Sequence, residues 1–164
     1  MNVFQLTLTA AVLSCSLVAG FVFAFAVVVM PGIRALGDGQ FLRTFQLLDG
    51  VIQDNQPLFV LVWVGSVVAL VGSLVLGFAQ VDGVSRAFLV AAAVIYLLGV
   101  QLPTAAINIP LNNAVQALDV KSLDENALAA ARGSFEAPWN RWNSIRTVLA
   151  ITTSLALIAV VLRL

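Results

Sequence analysis

Gln101-Leu102-Pro103-Thr104-Ala105-Ala106-Ile107-Asn108-Ile109-Pro110-Leu111-Asn112-Asn113 decides how this chain is read. The stretch lies in a run from Ala87 to Leu118 that contains no charged residue. An uncharged apolar run of that length crosses a bilayer as a helix. Yet the quoted segment carries two prolines, three asparagines and a glutamine. A side-chain amide without partners in hydrocarbon costs several kcal/mol. Gln101, Thr104, Asn108 and Asn112 recur at helical spacing, which puts them on one face. That face predicts a polar site inside a helical bundle. Pro103 predicts a bend, and Pro110 an end or restart of the helix.

The complementary stretch is Trp139-Asn140-Arg141-Trp142-Asn143-Ser144-Ile145-Arg146-Thr147. Trp139, Trp142, Asn143 and Arg146 share a helical face. The uncharged segment that follows, Thr147 to Leu162, has only 16 residues, short of the roughly 20 that a span needs. The helix must therefore begin near Trp139 or Trp142, which draws Asn143 and Arg146 into the membrane. An arginine there faces the protein interior and a partner. Asn108, Asn112, Glu136 and Asp38 are the candidates. The tryptophans taken alone fit interface anchors.

Composition sets the class. Hydrophobic residues make up 61% of the 164 and charged residues 10%, against about 25% charged in a soluble globule. The balance is that of an integral membrane protein with the lipid bilayer as its environment. Net charge is zero, and no basic patch marks a nucleic-acid partner. There is no histidine and one cysteine, Cys15, so a metal or haem site of the usual ligands is not expected. No Lys or Arg precedes the first apolar run, and that run continues to about Met30. This predicts a retained span instead of a cleaved leader.

The expected architecture is all-α: one domain, 1–164, forming a four-helix transmembrane bundle with spans at about 5–30, 57–78, 85–107 and 142–164. Met30-Pro31-Gly32 should end the first span. Phe21, Phe23 and Phe25 read as lipid-facing or filler. In the first long connection Phe41, Phe45, Leu48 and Ile52 alternate with Arg43, Gln46, Asp49 and Gln53 as an amphipathic surface helix. Asp54 or Asn55 should cap the second span, with Pro57 in its first turn. Arg34 and Asp38 are placed to pair. In the second long connection Ser122-Leu123-Asp124-Glu125 predicts a capping box, with Gly133 and Pro138 closing that helix. Small-residue stripes on the first two spans suit close helix contacts, in a homo-oligomer or with another membrane subunit.

Asn108-Ile109-Pro110-Leu111-Asn112-Asn113, followed by Trp139-x2-Trp142-Asn143-x2-Arg146-Thr147, resembles the anthrone oxygenase family of small membrane proteins. The resemblance covers essentially the whole chain, and the two motifs are specific together and weak singly. It implies a four-helix protein of a bacterial inner membrane, and oxidation of anthrones to anthraquinones by molecular oxygen without metal or flavin. It maps the family's shared residues onto Asn108, Pro110, Asn112, Trp142, Asn143 and Arg146. Where relatives often carry histidine, this chain has Ser144.

Two functions follow as expectations. One is cofactor-free oxidation or binding of a small aromatic or phenolic molecule in a polar intramembrane pocket. Arg146, Asn143 and Glu136 would do the chemistry, with Arg146 on an oxyanion and Glu136 or Asp38 as base. Asn108, Asn112, Trp139, Trp142, Gln101 and Thr104 would bind the substrate. The other is a non-enzymatic membrane protein, an accessory subunit or amphiphile binder, whose polar cluster is structural.

Overall fold

Each long helix starts at a side chain that satisfies its first free N–H groups. Asn2 and Gln5 form a reciprocal capping box at the first. Gln56, and not Asp54 or Asn55, caps the second by accepting from the Phe59 N–H at 2.6 Å, with Pro57 in the first turn. Asp82 caps the third through the Val84 and Ser85 N–H groups at 2.8 and 3.0 Å. Asp124 caps the last, accepting from Ala127 N–H at 2.8 Å. The computed structural model, which describes residues 1–164, has these four long helices and a shorter one that starts after Gly37 without a side-chain cap. They are α1 (Val3–Ile33), α2 (Asp38–Gln53), α3 (Pro57–Gly77), α4 (Gly83–Gln116) and α5 (Glu125–Val161). All but α2 are long and apolar enough to cross a membrane. Together they form the four-helix bundle of a multi-pass integral membrane protein.

Pro31, Pro110 and Pro138 do not end helices as the sequence reading expects, and Pro103 lies within one. α1 runs through Pro31, α4 through Pro103 and Pro110, and α5 through Pro138. In α1 and α4 the chain widens into π-helical turns at Phe25–Val29, Ile95–Gln101 and Thr104–Asn108. Each of Pro31, Pro103 and Pro110 lies two residues past such a turn. A proline lacks an N–H and crowds the carbonyl one turn back. Moving to the wider i→i+5 pattern gives that carbonyl room and a different donor. Pro138 has no such turn. So α5 is one continuous helix, where two were expected.

α1 packs between α3 and α5, and α5 between α1 and α4. α3 meets α4 mainly through Gly83–Val94, next to their shared turn. One core fills that half of the bundle with Leu8, Cys15, Leu70, Leu89, Tyr96 and Leu157. At the other end a second core of Met30, Phe41, Phe45, Val115, Phe135 and Trp139 is built under α2.

The orientation of α2 corrects the amphipathic reading. Phe41 and Phe45 are buried as read, but so are Gln46 and Asp49, whereas Leu47 and Val51 are 60% and 57% exposed. The reason is the end of α4. Carbonyls at a helix end lack helical donors, and Gln46 Nε2 donates to that of Val115 at 2.8 Å and, just past the end, that of Leu118 at 2.9 Å. Gln46 and Asp49 therefore face protein, and Leu47, Leu48 and Val51 face outward.

Gly77 marks a close approach of α3 to α1. A Cβ there would lie 2.8 and 2.9 Å from Cζ and Cδ2 of the Phe4 ring, whereas one at Gly65 meets nothing within 4 Å. Gly77→Ala is expected to destabilise by about 1–3 kcal/mol through overpacking, and Gly65→Ala to be neutral or better. Thermal unfolding in detergent checks the contrast.

Asp82 gives a pH prediction. Hydrogen bonds from the Ser85 N–H and hydroxyl, then from Val84 N–H, with Arg163 nearby, hold its carboxyl down at about 2. A carboxyl lowered in the folded state stabilises fully above its unfolded value of about 3.9. That contribution is lost as pH falls through the folded value of about 2. The melting temperature should thus fall between these two values, and fall less in Asp82→Asn, whose cap does not titrate.

Candidate functional site

Where α3 and α4 part, the bundle holds a cavity of about 170 Å³ lined by residues of all five helices. Its polar side comes from the two stretches singled out in the sequence. Thr104, Asn108 and Asn112 reach it from α4, and Trp139, Asn143 and Arg146 from α5. The wide turn Thr104–Asn108 helps to set the first group. On α5 the spacing of Trp139, Asn143 and Arg146 makes one narrow stripe.

Arg146 is 4% exposed. Its Nη1 donates to Thr104 Oγ1 at 2.7 Å and its Nη2 to Asn143 Oδ1 at 2.9 Å. Thr104 Oγ1 in turn donates to the Val100 carbonyl at 2.7 Å. Asn143 Nδ2 donates to the Val22 carbonyl at 3.0 Å, just before the wide turn of α1. Arg146 Nε and Asn108 Oδ1 are buried without a partner. No carboxylate lies within 4.0 Å of the guanidinium, since the ion pairs of the chain are made by Arg34, Arg132 and Arg163. A guanidinium has five N–H donors, and Arg146 commits only two of them.

A second polar group sits further along α4. Asn112 Oδ1 accepts from Trp139 Nε1 at 2.7 Å, and its Nδ2 donates to Asp49 Oδ1 at 2.7 Å. Asp49 Oδ2 accepts from Gln116 Nε2 at 2.9 Å and Gln53 Nε2 at 3.2 Å. Asp49 is 3% exposed and is the one carboxylate that lines the cavity.

The remaining walls are aromatic. Phe59 and Trp63 stack with centroids 5.2 Å apart, and Phe21 stands edge-on to Phe59 at 5.2 Å. Phe25 and Phe45 lie against Trp139 at 5.7 and 5.6 Å. Ile109, at 44% exposure, and half-buried Ile52 also line the cavity, so it communicates with the bundle surface.

Not every expected site residue comes here. Gln101 lies outside the lining, but its Oε1 accepts from Trp63 Nε1 at 2.9 Å and so holds one wall. Trp142 is half-buried and outside the lining, because it falls beside the stripe defined by its three neighbours. Glu136 is also outside. It accepts from Arg132 Nε at 2.7 Å and lies 3.8 Å from Arg34. Asp38 is likewise held by Arg132, at 3.0 Å, and not by Arg34. Arg132 also donates to the Leu36 and Arg34 carbonyls at 2.8 and 2.9 Å, so this ion cluster ties α5 to the end of α1. Ser144 is exposed on the outer side of α5, in a groove with Arg34 and Asn140. A histidine at that position would not face the cavity.

Several lining residues were not singled out as site residues in the sequence. Asp49 and Phe45 belong to α2, whose facing is decided by α4. Phe59 and Trp63 lie in an apolar span with no polar marker. Phe21 and Phe25, read as lipid-facing or filler and not as site residues, line the cavity, while Phe23 is 47% exposed. The Trp63 indole N–H was the available signal, since a buried indole requires an acceptor.

Comparison with known proteins returns a family model described as anthrone oxygenase, matched by residues 57–156. The matched segment includes the Asn108–Asn113 and Trp139–Thr147 motifs and excludes α1 and α2. No curated protein matches the chain. No solved structure matches it either.

The two bonds of Asn112 hold a wall and a carboxylate at once. Asn112→Leu strands the Trp139 indole and removes a donor from Asp49. It should destabilise by about 1–3 kcal/mol, read by thermal unfolding in detergent. Asn113→Ala, at an exposed neighbour, should stay within about 0.5 kcal/mol of wild type.

Proposed function

The chain belongs to the anthrone oxygenase family, and from that premise we propose that its cavity takes up a flat phenol or phenolic ketone and promotes oxidation by molecular oxygen. The observation that carries this reading is Arg146: a buried guanidinium with no carboxylate within 4.0 Å, on the wall of an aromatic cavity. A cation in that position costs stability unless an acceptor meets it. Enolisation of a phenolic ketone places negative charge on its oxygen, and fixed donors in a dry site stabilise that charge. Arg146 is held in place by Thr104 and Asn143, so it needs no rearrangement to do so. Asn143 acts here as a positioning residue.

The walls suit the rest of such a molecule. Phe21, Phe25, Phe45, Phe59, Trp63 and Trp139 offer ring faces and edges on several sides. The volume of about 170 Å³ compares with an engineered cavity of about 150 Å³ that binds benzene. It therefore encloses the reacting ring. Fused rings extend past Ile109 and Ile52 toward the surface, which a substrate arriving from lipid would reach directly.

The structural alternative uses the same bonds. Arg146 to Thr104 links α5 to α4 whatever else the arginine does. Arg146→Met separates the two. Removal of an oxyanion donor should lower anthrone-dependent oxygen uptake by about 10²–10³-fold while the folded protein persists in detergent. Unchanged uptake per folded molecule, with only a lower melting temperature, would leave the polar cluster as structural glue.

A further inference from the structure

We propose that Asp49 is the proton acceptor of this cavity, and that it selects substrates whose acidic C–H lies across one ring from the oxygen bound by Arg146. The inference rests on the reading above. Three observations converge on it. Asp49 is the one carboxylate on the lining and is 3% exposed. No cation neutralises it within 4.0 Å. Its partners are neutral amides, two on Oδ2 but only Asn112 on Oδ1, so Oδ1 keeps a lone pair. Glu136 and Asp38, the other carboxylates considered, are both engaged by Arg132 outside the cavity.

Asp49 and Arg146 are anchored at different heights. Arg146 bonds Thr104, and Asp49 bonds Asn112. Those two α4 residues are separated by at most roughly 12 Å of helix rise. A substrate that meets both must present its acidic C–H and its oxygen at opposite ends. An anthrone presents such a pair: a carbonyl and, opposite it in the central ring, an acidic methylene.

Asp49 Oδ1 takes one methylene proton, and the C–H electron pair moves through the ring to the carbonyl oxygen, where Arg146 meets it. The carbanionic carbon bonds to dioxygen, and the proton on Asp49 passes to the outer oxygen, giving a substrate hydroperoxide. Loss of the remaining C–H proton forms the new C=O bond and breaks O–O. Hydroxide leaves, takes that proton and departs as water. One methylene and one dioxygen become one carbonyl and one water, and the carbon supplies the four electrons.

The test uses the full chain in nanodiscs, anthrone as substrate, and anthraquinone, which has no acidic C–H, as the binding probe read by tryptophan quenching. Oxygen uptake is corrected for the protein-free rate. Asp49→Asn should bind anthraquinone within about threefold of wild type yet lose about 10²–10⁴-fold in uptake. Wild type should show a primary isotope effect with anthrone deuterated at the methylene, and Asp49→Glu should recover part of the rate. Wild-type turnover with Asp49→Asn equally active overturns the assignment and leaves the oxidase reading standing. Loss of anthraquinone binding in Asp49→Asn also overturns it, since Asp49 would then be structural. No wild-type uptake and no quenching would overturn the functional reading itself and the assignment with it.

Discussion

The side-chain amide of Asn112 joins three helices through two hydrogen bonds of 2.7 Å, one to the Trp139 indole and one to Asp49. Nothing else in the chain ties α2, α4 and α5 at a single atom group in this way. Trp139 and Asp49 are both buried, and neither an indole N–H nor a carboxylate can then turn to water for its partner. The amide satisfies one with its oxygen and the other with its nitrogen, and so fixes its own orientation. From that point the second core can close. Trp139 is pinned against Phe25 and Phe45, Asp49 is drawn inward, and Gln46 meets the end of α4.

The wide turns are the backbone counterpart of that arrangement. A proline in a span leaves the carbonyl one turn earlier without its usual donor, and lipid offers no replacement. α1 and α4 answer by widening before Pro31, Pro103 and Pro110. The widening rotates the residues that follow relative to a regular helix. Phe25, Thr104 and Asn108 all lie in widened segments and all line the cavity. The prolines thus shape the site without touching its polar groups.

This also explains what could be read from the sequence and what could not. Four spans were legible because lipid demands long uncharged runs, and the chain has them. Asn108, Asn112, Asn143 and Arg146 stood out because amides and a guanidinium in such runs require an interior. Asp49 did not, because a carboxylate on a short amphipathic helix normally faces water. Its burial depends on α4 donors that lie more than sixty residues away. Phe21 and Phe25 were hidden for a related reason. A phenylalanine in a span suits lipid or cavity equally, and only the turn of the backbone decides. Pro138 misled because proline usually breaks a helix, and α5 carries it without a break.

The two charges of the cavity are each held by neutral groups instead of by one another. Thr104 and Asn143 fix the guanidinium, and Asn112, Gln116 and Gln53 fix the carboxylate. Those neutral partners sit on α4 and α5 for the guanidinium and on α4 and α2 for the carboxylate, so the two reach the cavity from separate anchors. On the proposed function, a neutral, flat molecule whose acidic hydrogen and oxygen point opposite ways would align with the two groups, and its charge separation on enolisation would run from one to the other.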